Sequence, residues 1–182
     1  MSGAANLAQG TWEQAEALVG TTIAALEGAD PVSAADIRRK LEVIGLDCPL
    51  HTDPDVARGL GHPDVVSPVS MVRVWAMPAY WRPGAPRVGA ELMTTPLPAA
   101  SVPGEGDTMI ATSVRMEHRR PLHPGDRVTA TAVLKSVTRK TTRVGPGAFL
   151  VVETTYRNQR GEDVTVETVT LLRYQQQTAE PA

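Results

Sequence analysis

The chain has 182 residues, with 18 Lys+Arg against 20 Asp+Glu, a formal net charge of −2 and 42% hydrophobic residues. That fits one globular domain, and without a basic block there is no electrostatic footprint for nucleic acid or for an anionic membrane surface. The single cysteine, Cys48, cannot form an internal disulfide or a zinc cluster, and no early stretch has the length and basic lead-in of a signal peptide or a spanning helix. A reducing, cytoplasmic location is therefore expected. Aromatic residues are only 4% of the chain, so the core must rest on Val, Ala, Leu and Ile, which favours β structure.

In chain order, Thr11-Trp12-Glu13-Gln14 has the form of a capping box, and a short helix is expected before Gly20. Thr21 to Leu26 reads as a first strand, closed by Gly28-Ala29-Asp30-Pro31. Ser33 repeats the capping logic, and Ile37, Leu41 and Ile44 recur at helical spacing up to Gly45, a helix of about three turns. Asp53-Pro54 caps a further short helix with proline at its first position, and Ser67-Pro68 has the same form. The run that follows carries only Arg73 as a charge before Pro78, so a buried central helix is expected there. Residues 82 to 107, punctuated by Pro83, Pro86, Pro96, Pro98 and Pro103, read as a long loop with one short strand around Val88 to Met93.

From Thr108 the period becomes two: Thr112, Val114, Met116 and His118 alternate with Ser113, Arg115, Glu117 and Arg119. Val128, Ala130, Ala132 and Leu134 continue the pattern, followed by Phe149 to Tyr156 and Val164 to Leu172, with Asn158-Gln159-Arg160-Gly161 as a hairpin loop. Helices first and antiparallel strands second give an α+β fold with a helix packed on a curled sheet. A single domain over 1–182 is expected, with 1–10 and 175–182 as flexible tails.

Two segments carry a family likeness. Gly45-Leu46-Asp47-Cys48-Pro49-Leu50-His51-Thr52-Asp53, followed by Val65-Val66-Ser67-Pro68, resembles the signature region of MaoC-like hydratases and dehydratases. Arg119-Arg120-Pro121-Leu122-His123-Pro124-Gly125-Asp126-Arg127-Val128 resembles the arm that opens the third long strand of that family. The leading segment and the Ser67-Pro68 form resemble its amino-terminal-type, fatty-acid-synthase-type dehydratase domain. The resemblance implies a single hot dog fold, an antiparallel sheet wrapped around one hydrophobic helix. It also implies hydration of 2-enoyl thioesters, or dehydration of 3-hydroxyacyl thioesters, of coenzyme A or a carrier protein. The thioester is the substrate, and no separate cofactor is implied.

Hydrating a 2-enoyl thioester needs a base for water, an acid for the α carbon and donors for the thioester oxygen. The family motif, G-D-x-N-P-L-H-x-D, pairs an Asp with the His; aligned on Pro49-Leu50-His51, the Asp position holds Leu46, and Asp47 lies one residue later. His51 and Asp47 are thus the candidate catalytic residues. The competing readings are a loop histidine bonded to a backbone carbonyl and a displaced carboxylate. Asp53 has a complete local role as a cap, and Cys48, at the motif's Asn position, reads as a packed small side chain rather than a nucleophile. The N–H groups of Val69 and Ser70 are candidate donors to the thioester oxygen. Trp75, Tyr80 and Trp81 are candidates to line an acyl pocket, or else core residues. Arg115, Arg119, Arg120 and Arg127 either meet coenzyme phosphates or form solvated faces, and no metal site is expected from the scattered His62, His118 and His123.

These expectations leave three readings. In the first, the chain shapes the acyl pocket while a catalytic MaoC-like partner supplies the Asp/His pair, with room for a bulky, steroid-like acyl group. In the second, a homodimer works with His51 and Asp47. The third is a non-catalytic acyl-thioester-binding scaffold. A hot dog dimer, homo- or hetero-, is expected in each case, because pairing covers an exposed strand edge.

Overall fold

The computed structural model describes residues 7–79, 81, 83–84 and 97–175. Its frame is one five-stranded sheet in the order β1-β3-β4-β5-β2, built from β1 (Thr22–Glu27), β2 (Thr108–His118), β3 (Val128–Thr142), β4 (Gly145–Asn158) and β5 (Asp163–Tyr174). Every pairing is antiparallel. The β4–β5 hairpin closes where expected, with the Gly161 N–H donating to the Asn158 carbonyl at 3.0 Å. Gly161 has φ 75°, a conformation that side-chain-bearing residues avoid. Along β4, buried and partly exposed residues alternate, the period-two pattern expected of a strand with one covered face.

The helical half also follows its caps. At α1 (Trp12–Glu16) the box is complete: the Thr11 N–H donates to Gln14 Oε1 at 2.9 Å, and the Gln14 N–H to Thr11 Oγ1 at 3.4 Å. Ser33 caps α2 (Ala34–Ile44), which ends at Gly45 in the left-handed region, φ 62°. Asp53 caps α3 (Pro54–Gly59), accepting from the N–H groups of Asp55 and Val56 at 2.8 and 3.3 Å.

The central helix departs from expectation. It is a 3-10 turn, Val69–Met71, running into a single α turn, α4 (Val72–Trp75). Ser67 does not cap it, because Ser67 Oγ is taken by the Trp75 indole N–H at 2.8 Å. Pro78 explains the early stop, since it offers no N–H to continue the ladder and disfavours helical backbone at the residue before it. Nor is the segment almost wholly buried. Met71, Val72, Trp75 and Ala76 face the core, but Val69, Val74 and Met77 are 55%, 50% and 41% exposed.

A helix this short cannot cover the sheet. Seven residues rise roughly 11–12 Å, whereas the 14 residues of β4 extend about 46 Å at about 3.3 Å each. The concave face accordingly carries two hydrophobic clusters where a domain usually has one. In the first, Ile37 and Leu41 of α2 and Val72 and Trp75 of α4 pack on Val128, Ala130 and Tyr156. In the second, Trp12 and Ala15 of α1, with Ala99 and Val102, pack on Ala132, Leu134, Leu150 and Leu171.

Part of the expected loop belongs to this second cluster, and part of the expected leading tail is bonded to that loop. Pro98–Ser101 is a 3-10 turn, Leu7 is 8% exposed, and the Ala8 N–H donates to the Ala100 carbonyl at 2.9 Å. Arg173 of β5, fully buried, organises the region by donating to the carbonyls of Ala8, Val102, Gly104 and Gly106 at 2.7 to 3.1 Å. The strand expected around Val88 to Met93 lies outside the described residues. At the far edge, β2 is open on both faces, with Ile110 and Val114 44% and 51% exposed.

Candidate functional site

The signature loop follows α2. Its residues Pro49–His51 form a 3-10 turn, which presents His51 toward the strand-like segment that leads into the central helix. His51 is half-buried, and its Nδ1 lies 2.6 Å from the Val66 carbonyl oxygen. A carbonyl only accepts, so Nδ1 carries the proton, and the lone pair of the neutral ring sits on Nε2. The bond of the competing reading is therefore present, and it fixes the tautomer that leaves Nε2 able to accept a proton.

Asp47 is exposed, and no hydrogen bond joins it to His51. Leu46, at the family's Asp position, is 44% exposed. Cys48 is half-buried and unpaired in any disulfide. Val69 and Ser70 are exposed and precede the first bond of the central helix, which runs from the Met71 N–H to the Pro68 carbonyl at 2.9 Å.

Between the two hydrophobic clusters lies a cavity of about 340 Å³. Six alanines are among its lining residues: Ala24, Ala76, Ala99, Ala111, Ala130 and Ala132. The exposed stripe of the central helix, through Arg73, Val74 and Met77, forms part of its rim. A few polar groups interrupt this lining, Thr154 and a hydrogen-bonded trio of Arg73, Tyr156 and Glu167. Glu167 of β5, 3% exposed, accepts from Arg73 Nε at 3.2 Å and from Arg73 Nη2, and the Tyr156 hydroxyl donates to Glu167 Oε2 at 2.9 Å. Burial pushes the Tyr156 phenol above its ordinary value, against the pull of Arg73, which keeps it a donor. The sequence reading missed this trio and the cavity. Their signals were the lone charge in the central run and the small inward residues Ala130 and Ala132.

Trp75 does not line the cavity; it is 4% exposed and packs in the first cluster. Close approach holds it there, since a Cβ on Gly28 would sit 1.9 Å from the Trp75 carbonyl oxygen. Trp81 is 47% exposed and outside the cavity lining, and Tyr80 lies outside the described residues. Arg119 and Arg120 face the carboxylates of Asp163 and Glu162 at 3.1 and 3.6 Å, as members of a solvated face. His123 Nε2 comes within 3.4 Å of His62 Nδ1, and Asp126 anchors that corner by accepting from the His123 N–H and Gln159 Nε2, both at 2.9 Å. Among the described residues, no three His, Cys, Asp or Glu side chains gather as a metal site.

Comparison with known proteins shows the family of the chain. Residues 17–167 match the family model described as FAS1-like, dehydratase domain region. A probable enoyl-CoA hydratase alpha subunit of Thermomonospora curvata is 34% identical over 91% of this chain, which spans 52% of that relative's length. The 3-oxo-4,17-pregnadiene-20-carboxyl-CoA hydratase alpha subunit of Mycobacterium tuberculosis is 32% identical over 66% of this chain and 38% of its own length. The chain thus spans about half, or less, of each of these relatives. Among solved structures, a chain of the ChsH1-ChsH2 complex from Mycobacterium tuberculosis superimposes with a TM-score of 0.68 at 26% identity, covering 92% of this chain and 90% of that one. The chain belongs to the family of FAS1-like dehydratase domain regions.

Proposed function

We propose that this chain is the acyl-binding subunit of a 2-enoyl-CoA hydratase whose second hot dog chain brings the complete Asp/His pair. Water adds across the α,β double bond of the thioester, or leaves the 3-hydroxyacyl form in reverse, and the acyl group is bulky and ring-shaped, as in a steroid. The observation that carries this reading is an open apolar cavity in a chain whose signature loop lacks its paired carboxylate. At about 340 Å³, the cavity has more than twice the volume of the ~150 Å³ apolar cavity known to take up benzene. The names of the relatives, both alpha subunits of CoA-thioester hydratases and one with a pregnadiene acyl group, support the same assignment.

In hydration a base takes a proton from water while the water oxygen bonds to the β carbon. The double-bond electrons move toward the thioester oxygen, and the α carbon then takes a proton. In this chain the Val69 and Ser70 N–H groups serve the thioester oxygen, His51 Nε2 accepts a hydrogen bond from water or the new hydroxyl, and the cavity holds the acyl group. Loss of enoyl absorbance tests the proposal, with a short-chain and a fused-ring 2-enoyl-CoA, the chain alone, and the chain with the hot dog protein that co-purifies with it. Silence alone and turnover with the second chain are expected. Turnover by the chain alone would overturn the two-chain reading, and no turnover in either case would overturn the hydratase assignment.

A further inference from the structure

We propose that Arg73 is a specificity residue, donating hydrogen bonds to an uncharged oxygen, a ketone or a hydroxyl, carried by the acyl group within the cavity. The proposal rests on the acyl-binding reading of that cavity, and four observations support it. First, Arg73 is the only charge on the exposed stripe formed with Val69, Val74 and Met77, and it rims a wall otherwise made largely of alanine and aliphatic side chains.

Second, its partner is in an unusual place. Glu167 is a buried carboxylate on the inward face of a strand, where the cost of desolvating a charge makes an ion pair weak evidence of a purely stabilising role. What the carboxylate does is orient. It engages Nε and Nη2 along one edge of the guanidinium, and the Tyr156 hydroxyl in turn fixes the carboxylate. Glu167 and Tyr156 are therefore positioning residues.

Third, donors remain. A guanidinium carries five N–H groups, two of which face Glu167. No bond among the described residues uses Nη1, and the Arg73 side chain is 48% exposed, so the remaining donors are accessible to a ligand. Fourth, the ion pair is electrically neutral. A carboxylate on the ligand would meet Glu167 as well as Arg73, whereas a ketone or hydroxyl oxygen meets only donors. A hydrocarbon ring would desolvate those donors and leave them without an acceptor, which is the strongest form of discrimination a site of this kind achieves.

The test is calorimetric binding to the full chain, alone and with its co-purifying partner. The probes are a fused-ring 2-enoyl-CoA bearing a ring ketone, its ring-deoxy counterpart and its ring-carboxylate counterpart. The wild-type protein is expected to favour the ketone over the deoxy ligand by about 10- to 100-fold, the factor for one charge-assisted hydrogen bond. In the double variant Arg73→Met/Glu167→Gln, which leaves no buried charge unpaired, the ratio should fall to within about threefold of one. Arg73→Lys keeps the charge without the planar fork, and its ratio should lie between the two.

Equal binding of ketone and deoxy ligands by the wild-type protein leaves the cavity reading in place and overturns the Arg73 proposal. A preference that survives in the double variant overturns it as well, and tighter binding of the carboxylate overturns the choice of an uncharged oxygen. Failure of all three ligands to bind the wild-type protein overturns the cavity reading and this proposal together.

Discussion

Filling the cavity tests its existence and its use in one experiment. Ala132 of β3 is 2% exposed and lines it, so Ala132→Leu places three additional carbons in the gap between the clusters. At about 0.8 kcal/mol per buried methylene the upper gain is about 2.4 kcal/mol, whereas a fully packed site would instead lose about 1–3 kcal/mol to strain. With about 340 Å³ to enter, the gain should win, and a net stabilisation of about 1–2 kcal/mol corresponds to a rise in Tm of roughly 2–8 °C for a domain of this size. The same carbons occupy acyl space. Affinity for a fused-ring thioester relative to a short-chain one should fall at least about tenfold, the equivalent of about 1.4 kcal/mol. Thermal unfolding and calorimetric titration of the same preparation read both effects. Destabilisation by more than about 1 kcal/mol would mean that strain dominates and no usable space adjoins Ala132. Stabilisation with an unchanged affinity ratio would mean that the space exists but does not hold the acyl group.

Three further outcomes follow from individual side chains. Arg173→Met strands the carbonyls of Ala8, Val102, Gly104 and Gly106; at about 1–3 kcal/mol each, partly offset by removing a desolvated cation, urea unfolding should show a loss of at least about 3 kcal/mol, and a loss under about 1 kcal/mol would refute the clamp. His51→Ala should lower turnover of the two-chain complex by about 100-fold or more, while unchanged turnover with intact folding would remove His51 from the site. Burial, only partly opposed by Asp126, holds His123 below the ordinary imidazole value of 6.5. The unfolded chain therefore takes up the proton first as pH falls: this contribution to stability is fully present above the unfolded value and is lost as pH drops through the depressed folded one. Tm should fall on acidification from about pH 7 to 5, and His123→Gln should flatten that slope; an equal slope in the variant would assign the pH dependence elsewhere.

How much of this was legible in the sequence differs by element. Caps and periods act locally, so Thr11, Ser33 and Asp53 each mark a helix start that is present, and the alternation from Val128 to Leu134 marks an inward face. Ser67 has the same cap-like form, but a residue eight positions on, Trp75, claims its hydroxyl, and only tertiary packing decides that contest. For Trp75 both a pocket and a core place are open from the sequence, because aromatics at helical spacing do not reveal which face is covered, and the structure puts it in the core. The cavity escaped notice for the complementary reason. Alanine reads as a filler in any pattern, and its effect here comes from six of them, drawn from distant parts of the chain, meeting around one space. Glu167 was likewise invisible, since its partner Arg73 lies 94 residues away.

The division of the core also bears on cooperativity. β3 and β4 run from one cluster to the other, so the strands themselves tie together two groups of buried side chains that pack as separate clusters. Native-state hydrogen exchange should then resolve two opening free energies, one for amides around Ile37 and Trp75 and one for those around Trp12 and Leu150. An acyl group bound between the clusters, as proposed, would touch both, and by binding only the closed form it would raise both openings by the same amount. On the proposed reading the substrate would complete the core, and its arrival would be recorded as both exchange classes slowing by the same factor.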